Sequence, residues 1–156
     1  MQPPAPAASR SIPKLNEVFE LTLNGDEVDP LEMVRSDRYT GSWDFVGPRV
    51  IGLQTRRFKL VNVGRCANLR EITEKAGKLA KGQWREAFRE RYPNPDGREP
   101  IGFGGSLWSN NIGGWRIPLL TSYAGEWISR FGSASTALHR ESWRWLVEVE
   151  PDSSSE

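Results

Sequence analysis

Residues 68–91 read NLREITEKAGKLAKGQWREAFRER, and the helical signal of the chain is confined to them. Asn68 can cap a helix, and Glu71 stands three residues on, where a capping box places its acid. Leu69, Ile72, Ala76 and Leu79 then recur at helical spacing until Gly82 breaks the run. A second helix is expected over Gln83–Arg91, with Trp84, Ala87 and Phe88 on one side and Arg85, Glu86, Arg89 and Glu90 elsewhere. Tyr92-Pro93-Asn94-Pro95-Asp96-Gly97 ends it, since proline cannot continue a helix and Asp-Gly favours a turn.

On both sides of that stretch the apolar period shortens to two. Phe19, Leu21 and Leu23 alternate within Val18–Leu23, and Asn24-Gly25 suits a tight turn after them. Asp29-Pro30 interrupts regular structure. Trp43–Phe45 and Val50–Leu53 read as short strands around Gly47-Pro48, and Arg56–Val63 as a better one, so the front third is expected to be an antiparallel meander. Beyond the helices, Trp115, Ile117 and Leu119 alternate, as do Trp127 and Phe131. Ser142–Val149 is the cleanest strand, with Trp143, Trp145, Val147 and Val149 on one side and Arg144, Leu146 and Glu148 on the other. The fold expected is therefore α+β: one antiparallel, β-rich domain with two short helices in the middle of the chain. Residues 1–14, rich in Pro, Ala and Ser, read as disordered, 15–149 as the globular unit, and 150–156 as a flexible tail.

Charge is distributed unevenly beneath a net of +1. Residues 1–48 carry four basic and eight acidic side chains, residues 49–91 twelve and four, and residues 92–156 five and eight. A basic middle can attract an anionic partner, or fold back upon its own acidic flanks. A single cysteine, Cys66, excludes an intrachain disulfide framework. No apolar run approaches the roughly 20 residues that span a bilayer, and the N-terminus lacks the apolar core of a secretory signal. A cytoplasmic protein without membrane contact is expected.

Catalytic signatures are missing. Gly102-Phe-Gly-Gly-Ser106 lacks the lysine and helix of a phosphate-binding loop, so its glycines are expected to permit close packing. One histidine, His139, and one cysteine cannot furnish a structural zinc site, and Asp26, Glu27 and Asp29 do not match a calcium loop; no metal or other cofactor is expected. Cys66 beside Arg65 could be activated with His139 as base, but a buried inert thiol is the better expectation. Glu126 and Glu141 near tryptophans suggest a glycosidase pair only if they lie across a cleft.

What remains is a combination of bases and indoles. Arg56, Arg57 and Lys59 lie on a strand, and Lys78, Lys81, Arg85 and Arg89 follow on the helical pair. With Trp84, Trp108, Trp115 and Asn110, these are the candidate ligand-binding residues of a small, non-catalytic binding or adaptor protein. Its partner would be anionic: nucleic acid, whose bases could stack on indoles, or an acidic protein surface. Two alternatives are a carbohydrate-binding module with Trp108, Trp115, Trp127, Asn110 and Asn111 in a cleft, and a hydrolase whose site is built from scattered residues.

Overall fold

The strand expected at the end of the chain runs through the middle of the sheet. The computed structural model describes residues 11–110, 114–134 and 142–150. Within them, β8 (Arg144–Val149) lies antiparallel to β3 (Leu53–Val61) and parallel to β4 (Ile101–Gly102). Outward from β3 comes β1 (Phe19–Asn24). Outward from β4 come β6 (Trp115–Tyr123), β5 (Leu107–Asn110) and β2 (Trp43–Gly47), while β7 (Glu126–Ser133) also pairs with β6. The molecule is thus an α+β fold on a mostly antiparallel sheet of eight strands.

The central place of β8 buries both of its sides. Arg144, Trp145, Leu146 and Val147 are all buried, because both faces of the sheet are covered. On one face, Phe58, Leu60 and Leu146 pack with Trp84 and Phe88 of α3 (Trp84–Arg91). On the other, Val61, Trp145, Val147, Ile117 and Leu119 pack with Ile72 of α2 (Leu69–Ala76). Phe88 draws the first face together: its ring lies 6.0 Å from Phe19 on β1 and 6.3 Å from Trp127 on β7.

Helix α3 lies where the periodicity predicts, but α2 ends at Ala76 rather than running on to Gly82. Gly77 takes a positive φ there, and Leu79 bridges to Val147 of the sheet instead of continuing the helix. Asn68 Oδ1 accepts the Glu71 N–H at 2.9 Å, and Glu71 reaches back to the Ala67 N–H. A further helix, α1 (Pro30–Ser36), stands where Asp29-Pro30 was expected to interrupt structure. Asp29 caps the Leu31 N–H, and Pro30 occupies the first turn, where its missing N–H needs no partner. Asn24-Gly25 opens a single 3-10 turn rather than a hairpin. The front third is not a meander, since β1 pairs with β3 while β2 crosses to β5. Val50 lies outside β3, its N–H donated to the buried Gln83 side chain, which in turn donates to the Gly25 and Val28 carbonyls. Of the segment expected to be disordered, residues 11–14 are described, and Ile12 packs against the core.

At Phe131 the outer edge of β7 is occupied by a single hydroxyl. Pro118 has no N–H, and its carbonyl accepts from Phe103, so its backbone faces β4. Phe131, opposite on β7, therefore turns its own N–H and C=O outward. Tyr39 Oη accepts that N–H at 3.1 Å and donates to that carbonyl at 3.2 Å. An edge with its groups occupied is a poor template for another strand.

Candidate interaction surface

The cations of the basic middle divide by what surrounds them. Arg85, expected at a binding surface, is wholly buried in α3. Its guanidinium forks onto Asp37 at 2.7 and 3.0 Å, its Nε meets Glu86 at 2.8 Å, and the Arg130 carbonyl accepts from it at 3.2 Å. Burial pushes the Asp37 carboxyl above its ordinary value even with Arg85 alongside. Arg89 extends the same network to Glu86 and the Ser129 hydroxyl. Arg85 is therefore corrected to a structural tie between α1, α3 and β7, and Arg89 is largely committed to it.

Surface cations split again. Arg56 and Lys78 converge on Glu148 at 3.9 and 3.4 Å, and Lys78 also nears Glu150. Arg70 meets Glu74, and Lys75 meets Glu71, one helical turn apart on α2. Arg57, Lys59, Arg65 and Lys81 have no ion-pair partner among the described residues. Arg57 and Lys59 alternate with the buried Phe58 and Leu60, so both point away from that core on the same side of β3.

The indoles separate just as sharply. Trp84 and Trp108 are buried; Trp108 donates its N–H to the Pro30 carbonyl at 3.0 Å and packs 4.7 Å from Phe45. Neither can stack on a partner, which corrects both as candidates. Trp127 is half-buried beside Phe88, its N–H given to the Tyr92 carbonyl. Trp115 alone of the candidates stands 53% exposed, on β6, three places from β3 in the order of strands. Asn110 accepts the Gly114 N–H, bracing the β5–β6 connection, and Asn111 lies outside the described residues.

Among the described residues the other constellations bring no chemistry together. Cys66 is buried, and that burial pushes its thiol up; His139 and Glu141 lie outside the described residues. Among the described residues no cluster of three or more His, Cys, Asp or Glu could hold a metal. The glycine run serves packing: a Cβ on Gly102 would sit 2.5 Å from the Trp145 ring, and one on Gly105 would sit 2.3 Å from the Leu79 carbonyl oxygen.

A groove of about 950 Å³ lies beside the start of β8, between residues 11–15 and 94–99. Of its two arginines, Arg98 and Arg144, the latter is already engaged by Asp96 at 2.8 and 3.1 Å and by the Glu99 carbonyl. Burial alone would raise the Asp96 carboxyl, but Arg144 and the Arg98 N–H outweigh it and hold that group below its ordinary value. The pair closes a long loop onto β8, and nothing in the local pattern of either segment announces it. Comparison with protein-family models, with curated proteins and with solved structures finds no match to this chain.

Proposed function

We propose that this chain is a non-catalytic binding protein that meets an acidic segment of a protein partner along the outward row of β3. The observation that supports this reading is the pair Arg57 and Lys59, side by side on one sheet face and without an ion-pair partner among the described residues. Charges held on a strand of a wide sheet are positioned in advance, so less ordering entropy opposes binding than for cations on a loose tail. Nucleic acid is the weaker form of the reading, because Trp84 and Trp108 are buried and Trp115 lies three strands away. A carbohydrate cleft loses the same buried indole. Cytoplasmic location belongs to this proposal and agrees with a free, buried cysteine.

Fluorescence anisotropy with a labelled octapeptide of alternating glutamate and valine, beside single- and double-stranded oligonucleotides, tests it. The expected result is peptide binding at low salt that weakens as ionic strength rises, with the oligonucleotides binding less well. Preferred binding of the oligonucleotides would overturn the protein-partner reading, and binding of neither would overturn the anionic one.

A further inference from the structure

Strand β3 outruns its neighbour. β1 pairs with it along its length down to Leu53, whereas β8 ends with Val149 opposite Arg57. Among the described residues Leu53–Arg56 thus has a strand on one side alone. The direction of its backbone groups follows from two bonds on β8: the Glu148 N–H goes to the Lys78 carbonyl, and the Leu146 carbonyl accepts from Ala80. Those residues face away from β3, so Trp145, Val147 and Val149 face towards it, and Val61, Lys59 and Arg57 face back. By the same alternation Thr55 and Leu53 turn their N–H and C=O groups the same way, past the end of β8. Gly25 donating to the Gly52 carbonyl fixes the same parity from the β1 side. The Thr55 carbonyl takes a weak bond from Arg56 at 3.3 Å.

The surroundings of this ledge select its occupant. Leu53 is 73% exposed and Ile51 67%, a pair of apolar anchors at its outer end. Leu53, Thr55, Arg57 and Lys59 share one face of the strand, while Arg56 and Lys78 lie on the other. Arg56, Arg57, Lys59 and Lys78 thus flank the ledge, with Glu20, Glu148 and Glu150 beside them and Asp26 at its Gly52 end. Of these cations Arg57 and Lys59 have no ion-pair partner among the described residues and are the ones open to an acidic occupant. We propose that Leu53–Arg56 takes an extended, acidic peptide segment of a partner protein by strand addition. Main-chain bonds to Leu53 and Thr55 hold the peptide, and its carboxylates meet the flanking cations. The inference rests on the acidic-partner reading above and supplies its mode of binding.

Two variants and two peptides test it. Thr55→Pro removes an edge N–H without touching the β1 ladder, where Thr55 and Thr22 form a non-hydrogen-bonded pair joined through their hydroxyls at 2.9 Å. Thr55→Val keeps that N–H. The alternating glutamate–valine octapeptide is compared with the same sequence N-methylated throughout. The expected result is binding about tenfold or more weaker for Thr55→Pro and for the methylated peptide on the wild-type protein, with Thr55→Val like wild type. If Thr55→Pro does not fold, the methylated peptide on wild type decides. Equal affinity for both peptides overturns strand addition; if Arg57→Glu then weakens both, the charge-based reading survives without it. Self-association of the protein that Thr55→Pro abolishes, with no peptide binding, makes a second copy the occupant and overturns the proposal.

Discussion

Arg85 on α3 and Arg57 on β3 come from the same basic stretch, yet the fold uses them in opposite ways. Arg85 is wholly buried, forked onto Asp37 and stacked 5.2 Å from the Phe131 ring. Arg57 stands on an outward sheet face and holds no carboxylate among the described residues. A guanidinium withdrawn from water must be neutralised where it lies, and it then becomes part of the scaffold. One left in water costs little to keep unpaired, and it stays available to something outside the molecule. The charge of a segment therefore says less about recognition than the burial of each cation within it.

The largest expected effect breaks the buried side of that contrast. Arg85→Met leaves the Asp37 carboxylate, whose side chain is 2% exposed, without a counter-charge. A loss of about 3–5 kcal/mol in urea unfolding is expected. Adding Asp37→Leu should recover most of it, because an apolar pair can replace a buried ion pair at little cost. If the single variant unfolds like wild type, Arg85 is not the tie described.

A smaller effect concerns Asp96 and Arg144, a half-way case between burial and exposure. The folded-state value of Asp96 is depressed, so its contribution is fully present above the ordinary 3.8 and is lost as the pH falls through the folded value. Asp96→Asn should lower stability at neutral pH by about 1–3 kcal/mol, and the gap from wild type should close in acid below 3.8. Thermal unfolding of both proteins across pH measures it; a gap independent of pH would remove the ion pair from the account.

The smallest effect on stability falls on β3. Arg57→Gln and Lys59→Gln break no ion pair among the described residues and introduce no like charge opposite Glu20, so each should shift stability by no more than about 0.5 kcal/mol. A loss well beyond that would mean these side chains serve the fold after all.

Much of the architecture was legible from local pattern. Asn68 and Glu71 form the helix start that their spacing predicts, and Phe19, Leu21 and Leu23 mark β1 almost to its ends. Asp29-Pro30 carries a helix-start signal as strong, a capping carboxylate followed by a proline suited to the first turn, which the chain-breaking habit of proline masks. Strand order was not legible, because β2 finds β5 and β4 finds β8 across long stretches of chain. The alternation of Ser142–Val149 suggests a two-sided strand, and only its central place shows that both sides are buried. The same gap hides the surface. Arg57 and Arg85 look alike in the sequence, and nothing local tells that Asp37 waits for one of them. The open edge at Leu53–Arg56 depends on where β8 stops, a property of two segments that lie about 90 positions apart.

The most direct test of the central claim, that β3 and not the helical pair meets the anionic partner, is the affinity of the acidic octapeptide for three proteins at low salt. These are wild type, the Arg57→Glu, Lys59→Glu double variant, and Arg70→Glu, which alters an 88% exposed cation on α2. A loss of about tenfold or more confined to the β3 variant is predicted. An equal loss in the α2 variant, or none in the β3 variant, would contradict it.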